Sequence, residues 1–253
     1  MSLTLHYFNL RARGEPLQML MRYAGIPYKM RTVTLEEWRG GEKEKMPPGA
    51  TGQKQLPVLE LADGTMMPES LDIAKHIAGL ANPPLLGKDH AQAERLFTLN
   101  DTKETPFGRG PEDFGVINPI LNFFPREDAE KRIVEYFKTA PAVIEYLAKE
   151  LALAGGPFYG GEAPHYGDFS IWHLLDNICT IDGGVTLERQ GEAGAALRAW
   201  RERVRELPAV AAYLAERPQP GTGECGAPGS IMNTVKVPSE LPAVRAALGL
   251  GEA

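Results

Sequence analysis

Cysteine is scarce in this 253-residue chain: Cys179 and Cys225 are the only two, far apart and in segments of different character. Two thiols cannot build a disulfide framework, and a reducing, cytoplasmic setting is the expectation that follows. Long apolar runs are missing as well. No stretch approaches the length that spans a bilayer, and the opening MSLTLHYF has no basic region ahead of an apolar one. Neither a membrane span nor a secretory leader is therefore expected. Positive charge is in deficit, with 27 Lys and Arg against 33 Asp and Glu and a net charge of −6. Without basic runs or a basic tail, nucleic acid and anionic membrane surfaces are excluded as main partners. Histidines occur at 6, 76, 90, 165 and 173, with no ligand spacing among them or to the cysteines, so no metal is expected. Gly221-Thr222-Gly223-Glu224-Cys225-Gly226 fits the dinucleotide pattern G-x-G-x-x-G. It follows a Pro-rich stretch, however, with no strand before it and no helix after it.

What the chain does contain is organised around residues 51–78, TGQKQLPVLELADGTMMPESLDIAKHIA. Two short apolar runs meet at Asp63-Gly64 and read as an antiparallel hairpin, with Pro57 heading the first strand where no ladder bond is lost. Ile73, Ala74, Ile77 and Ala78 then recur at helical spacing behind Ser70. If the Leu56–Pro57 bond is cis, the Leu56 N–H and C=O face outward and can pair with an extended peptide. The first turn of the Ser70 helix adds free N–H groups that suit a carboxylate. Strand edge and helix start together make a site for a short acidic peptide; an ordinary hairpin–helix connection is the plainer reading of the same pattern.

Upstream, residues 3–7 read as a first strand. Pro16 opens a helix with Leu17, Leu20, Met21 and Ala24 on its apolar stripe, and residues 28–35 read as a second strand. The resulting β-α-β-α-β-β-α order predicts that the first two strands are parallel. The fold class is thus an α/β domain, residues 1–80, a Pro/Gly-rich linker at 81–89, and an all-helical domain at 90–253 ending in a Pro/Gly-rich tail. Separate apolar stripes, such as Ile133 to Phe137 and Val143 to Leu151, mark the helices. Residues 105–125 carry Phe107, Phe114, Phe123 and Phe124, rings that a polar loop would not hold, so this segment is expected to cover something apolar.

The residues GQ-x-QLP and PES-x-DIA resemble the glutathione-binding half of a thioredoxin-like domain, as in cytosolic glutathione S-transferases and two-domain bacterial glutaredoxins. No cysteine stands at the first strand–helix junction, which removes dithiol chemistry there. Instead Tyr7-Phe8-Asn9-Leu10-Arg11-Ala12-Arg13-Gly14-Glu15 is similar to the YFN-x-R-x-R-x-E opening of tyrosine-type, sigma-like transferases. That resemblance implies a thioredoxin-like domain followed by a helical one, glutathione as co-substrate, a small hydrophobic electrophile, and a homodimer. It implies Tyr7 as thiolate stabiliser with Arg13 as electrostatic helper. It places glutathione contacts on Trp38, Lys43 or Lys45, Gln55, Leu56, Pro57, Glu69 and Ser70, with Asp101 reaching across the dimer. Phe8, Leu10, Phe107 and Phe114 are expected at the electrophile pocket; for each, core packing fits the pattern as well. Trp38 reads equally as a surface packing residue, and the Gly40-Gly41 insertion leaves the choice of lysine open. The family caps a central helix of its second domain with Ser or Thr and, three residues on, Asp. His165 and Asp168 stand there, so the reciprocal cap is expected to be incomplete.

Thiol chemistry sets the terms of such a site. A cysteine-like thiol ionises near pH 8.5, whereas a tyrosine hydroxyl, near 10, stays neutral and can donate a hydrogen bond to a thiolate. Lowering the thiol pKa by about two units needs roughly 2.7 kcal/mol of preference for the anion. One O–H···S⁻ bond, a helix N-terminus and an arginine together reach that size. The rival expectations are a non-catalytic glutathione-binding protein of the same fold, as lens crystallins and translation-factor subunits are, and a glutathione-dependent reductase or peroxidase.

Overall fold

The structure, a computed structural model, describes residues 3–99 and 117–251. Asp101, Phe107 and Phe114 lie outside the described residues. Strand β1 (Leu3–Tyr7) leads into α1 (Gly14–Tyr23) and β2 (Tyr28–Thr32), and β2 pairs parallel to β1, Leu3 opposite Tyr28 through Tyr7 opposite Thr32. A short α2 (Leu35–Glu37), a π-helical turn at Trp38–Glu42 and α3 (Lys43–Lys45) follow. Strand β3 (Val58–Glu60) pairs antiparallel to β1 on its other side, and β4 (Met66–Met67) closes the hairpin. The sheet order is β2-β1-β3-β4. Helix α4 (Ser70–Leu80) buries Ile73, Ala74, Ile77 and Ala78, the stripe read from the sequence.

The helical part comprises α5 (His90–Thr98), α6 (Ile117–Asn122), α7 (Arg126–Ala154), α8 (Tyr166–Asp182), α9 (Val185–Arg189), α10 (Gly191–Arg205) and α11 (Pro208–Glu216). Beyond these come α12 (Ile231–Thr234), a 3₁₀ turn at Pro238–Glu240, and α13 (Pro242–Ala247). The two stripes around Pro141 belong to one 29-residue helix, α7, and not to two. Proline costs an interior helix its hydrogen bond to the preceding turn. Here buried Phe137, Ala140, Val143 and Ile144 flank it, so packing on both sides holds the helix together. One hydrophobic core runs from Leu5, Leu17, Leu20 and Ile73 through Leu96 and Phe97 into Phe169, Trp172 and Trp200, and so is shared by the two halves. The C-terminal segment is part of that core, through Ile231, Met232, Val244 and Leu248.

The cap of α8 corrects the expectation of an incomplete pair. His165 Nδ1 accepts from the Gly167 N–H at 3.0 Å, and Asp168 Oδ2 accepts from the His165 N–H at 2.9 Å. An imidazole nitrogen thus does the work of a hydroxyl oxygen, provided that Nδ1 carries no proton. Burial depresses the His165 pKa and keeps the ring neutral. Between the depressed folded pKa and the unfolded value near 6.5, the unfolded chain binds more protons, so stability falls as pH drops below about 6.5. Asp168, whose pKa burial raises, titrates in the opposite sense. The expected outcome is a urea midpoint that falls between about pH 7 and pH 5.5, with a slope flattened or inverted in His165→Ser; an unchanged slope would rule the cap out as its source.

Candidate active site

Strand β1 ends at Tyr7, a buried residue whose carbonyl accepts from the Val33 N–H at 2.8 Å. Its ring lies against the backbone of Gly14, the first residue of α1, where any Cβ would collide with ring carbons. Glycine is required there by close approach, and it fixes the phenol beside the helix start. Tyr7 shares a small second core with Leu10, Ala12, Val33, Met46, Leu56 and Val58, against which Phe8 and Trp38 are packed.

Next to this core runs a narrow groove lined by Arg13, Gly49, Gln53, Gln55, Leu56, Pro57, Pro68, Glu69 and Ser70. The Leu56–Pro57 peptide is cis, and Leu56 lies just outside the paired register, which begins at Val58 opposite His6. Gln55 Nε2 donates to Gln53 Oε1 at 2.9 Å. Glu69 stands at φ +69°, immediately before α4, and its Oε1 accepts from the Ala50 N–H at 2.8 Å. Of the residues named from the sequence, Arg13, Gln55, Leu56, Pro57, Glu69 and Ser70 are thus brought to one groove. Lys43 and Lys45 are exposed on α3 and do not line it, and Lys45 Nζ is held by Glu42 at 2.7 Å. Trp38 is half-buried and meets the Phe8 ring edge-on at 5.5 Å between centroids. Phe8 also meets Phe123 at 6.5 Å. Phe8 and Leu10 line a different cavity, about 210 Å³, which shares no residue with the groove.

The sequence reading assigned no role to Arg11 and Glu15, which the structure ties together. The Glu15 N–H donates to the Arg11 carbonyl at 2.8 Å, so the two residues, four apart, share a face while Arg13 points to the other. That shared face meets the helical domain. Glu15, fully buried, pairs with Arg217 Nη1 and with His173 Nδ1, each at 2.5 Å. Arg217 Nη2 reaches Asp176 at 2.8 Å, which in turn binds Arg201 at 2.8 Å. Arg11 donates through Nε and Nη2 to the Pro218 carbonyl at 3.1 and 2.7 Å. Burial alone would raise the Glu15 pKa, but Arg217, His173 and Arg11 hold its carboxyl well below the usual carboxylate range. The spacing of the two charges, four residues apart, does not distinguish this arrangement from a solvated helical pair, because the partners lie about 200 residues away. Removing one partner leaves a buried charge uncompensated, so Arg217→Ala should cost about 3–5 kcal/mol in urea unfolding. The double variant Glu15→Gln/Arg217→Met should recover much of that loss; strict additivity of the two single losses would contradict the pairing.

Among known proteins, the family descriptions "Glutathione S-transferase, N-terminal domain" and "Glutathione S-transferase, C-terminal domain" match residues 15–80 and 115–217. S-crystallin 3 of Enteroctopus dofleini is 39% identical over 222 residues, covering 85% of this chain and 97% of its own. Hematopoietic prostaglandin D synthase of Gallus gallus is 27% identical over 216 residues, with 85% and 96% covered. The solved glutathione S-transferase from Ascaris lumbricoides superposes with a TM-score of 0.64 at 24% identity, over 87% of this chain and 98% of that one, a likeness of fold. With both domains matched and a 39%-identical relative aligned over nearly its whole length, the chain belongs to the glutathione S-transferase family and is sigma-like within it.

Proposed function

We propose that the protein is a glutathione transferase in which Tyr7 stabilises the glutathione thiolate for attack on a small hydrophobic electrophile. One observation carries this reading: the β1–α1 turn places Tyr7 and Arg13 beside a groove that also holds Leu56, cis-Pro57, Glu69 and the start of α4. In the bound state the cysteinyl backbone pairs with the Leu56 main chain as an added strand. The γ-glutamyl end lies at Glu69 and Ser70. The glycine end lies towards Trp38 and Lys43; Lys43 is preferred because Glu42 already holds Lys45. The phenol donates to the sulfur while Arg13 and the N-terminus of α1 add positive potential. The thiolate then forms a carbon–sulfur bond, and the leaving group departs with the electron pair, as chloride does in an aromatic substitution.

A homodimer in a cytoplasmic, detoxifying role is part of the same proposal, as are Asp101 at the dimer contact and Phe107 and Phe114 at the electrophile. Similarity to S-crystallins favours a second reading, a protein of this fold that binds glutathione without turnover. Reductase or peroxidase activity is the third, read with a mixed disulfide or an organic hydroperoxide. Turnover of 1-chloro-2,4-dinitrobenzene with glutathione separates these. Tyr7→Phe should lose about 10²-fold in kcat/KM and return the thiol pKa towards about 8.5, since two pKa units correspond to about 2.7 kcal/mol. Glutathione affinity by calorimetry should change little. Full activity in Tyr7→Phe would remove the role given to the phenol.

A further inference from the structure

Glu15 and Arg217 pair with almost no access to water: the carboxylate is 0% exposed and the guanidinium side chain 9%. Such a pair is a weak source of stability, because apolar residues of the same volume pack about as well without losing hydration. What a guanidinium and a carboxylate add is direction, since a fork of donors fixes the angle of approach as well as the distance.

The turn held in this way is the one that carries the site. The Glu15 N–H closes the first turn of α1 on the Arg11 and Ala12 carbonyls, at 2.8 and 3.2 Å. Within that turn, Gly14 is the shelf on which the Tyr7 ring rests, and Arg13 lines the groove. The charged residues flanking Arg13 go to the helical domain instead. Glu15 goes to Arg217, and Arg11 to the Pro218 carbonyl and, at 3.3 Å, to Gln219 Oε1. Three consecutive residues at the end of α11 thus grip both Arg11 and Glu15. The grip is itself braced. The Arg217 N–H donates to the Tyr213 carbonyl at 3.0 Å, and Gln219 Nε2 to the Arg217 carbonyl at 3.0 Å. Asp176 of α8 takes Arg217 Nη2 and Arg201 Nη2, each at 2.8 Å. Asn9 ties the near end of the same β1–α1 connection: its carbonyl accepts from the Gly226 N–H at 3.3 Å, and its Nδ2 donates to the Glu224 carbonyl at 2.5 Å.

We propose that Glu15 and Arg217 are positioning residues for the thiolate site: their pairing across the domain interface fixes the first turn of α1, and through Gly14 and Arg13 it sets where the phenol and the neighbouring cation stand relative to the groove. The proposal rests on the transferase reading and adds to it two residues that touch no substrate. Misplacing a reacting group by about 1 Å can lose about 10²-fold in rate, so a small shift of this turn is enough to be read.

Glu15→Gln/Arg217→Met removes the pair without changing the net charge, and it is the variant in which folding stability should largely recover. The ionisation of enzyme-bound glutathione, followed by thiolate ultraviolet absorbance against pH, should move up in it by about one pH unit, with about a tenfold fall in kcat for 1-chloro-2,4-dinitrobenzene at neutral pH. Binding of S-methylglutathione, which keeps the peptide contacts and has no thiol to ionise, should change little. Arg217→Lys retains the charge but lacks the fork that reaches Glu15 and Asp176 together. It should move the thiol in the same direction, whereas a through-space effect of charge would leave it in place. Leu147→Ala, in the core of α7, loses stability alone and should leave the thiol at its wild-type value.

A wild-type thiol pKa in either folded pair variant, or an equal shift in Leu147→Ala, overturns the proposal. Arg217→Lys carries the test if the double variant fails to fold. If the wild type neither binds nor ionises glutathione, it is the transferase reading that fails. Positioning is then read on the phenol itself, from the Tyr7 ring resonance in isotope-labelled protein, assigned by its loss in Tyr7→Phe. A resonance displaced in the pair variants and unmoved in Leu147→Ala supports the proposal, and one unmoved in the pair variants overturns it.

Discussion

A carboxylate with no access to water, Glu15, joins the two halves of this protein. Moving such a group out of water costs several kcal/mol even after relaxation, and it is tolerated only where partners of opposite charge and good geometry surround it. Arg217 meets that condition from the helical domain, oriented in turn by Asp176, and the His173 ring stands against the same carboxylate. The first turn of α1 therefore has one position relative to α8. Gly14 is in that turn, and the Tyr7 ring rests on Gly14. The placement of the phenol is thus set from within the domain interface and not from the groove that it serves.

Helix α8 can bear this function because its own start is over-determined. Asp168 accepts from the N–H groups of Tyr159 and His165 and from the indole of Trp200, at 3.0, 2.9 and 3.2 Å. Those three donors come from the preceding loop, the cap and α10, so one side chain fixes the helix against two neighbours. Ser170 adds a bond to the Phe97 carbonyl at 2.7 Å, which ties α8 to α5. From there the helix carries His173 and Asp176 one and two turns further along.

Much of this was legible in the sequence, and the parts that were not share a cause. Local signals worked: Asp63-Gly64 specified the hairpin, the strand–helix–strand order specified a parallel β1–β2 pair, and the spacing of Ile73, Ala74, Ile77 and Ala78 specified the buried face of α4. The groove residues also came together, since they sit on short connections whose geometry the turn residues dictate. What failed depended on contacts distant in sequence. Arg11 and Glu15 meet partners about 200 residues away, so nothing near them separates a buried pair from a solvated one. The stripes at Ile133 to Phe137 and Val143 to Leu151 read as separate, although packing joins them in one helix through Pro141. His165 lacked a hydroxyl, and only burial, invisible in the sequence, makes its ring nitrogen a dependable acceptor. The packing of the Gly221–Gly226 stretch against Asn9 had no sequence signal.

The groove has a charge pattern that a simple anion would not need. At one end, Glu69 brings a carboxylate directly to the start of α4, where the positive end of the helix dipole favours negative charge. A carboxylate there competes with an anionic ligand for the same donors. Glu69 lessens that competition by giving Oε1 to the Ala50 N–H, which turns part of its charge towards the 49–53 loop. The pair that results, one acidic side chain next to a helix N-terminus, is complementary to a group that carries both an ammonium and a carboxylate. A zwitterionic amino-acid end meets both requirements at once, whereas a plain carboxylate would meet the helix and be repelled by Glu69. With Arg13 also lining the groove, the electrostatics favour a ligand with a zwitterionic end and a further negative charge along its length, a pattern that a γ-glutamyl peptide thiolate has.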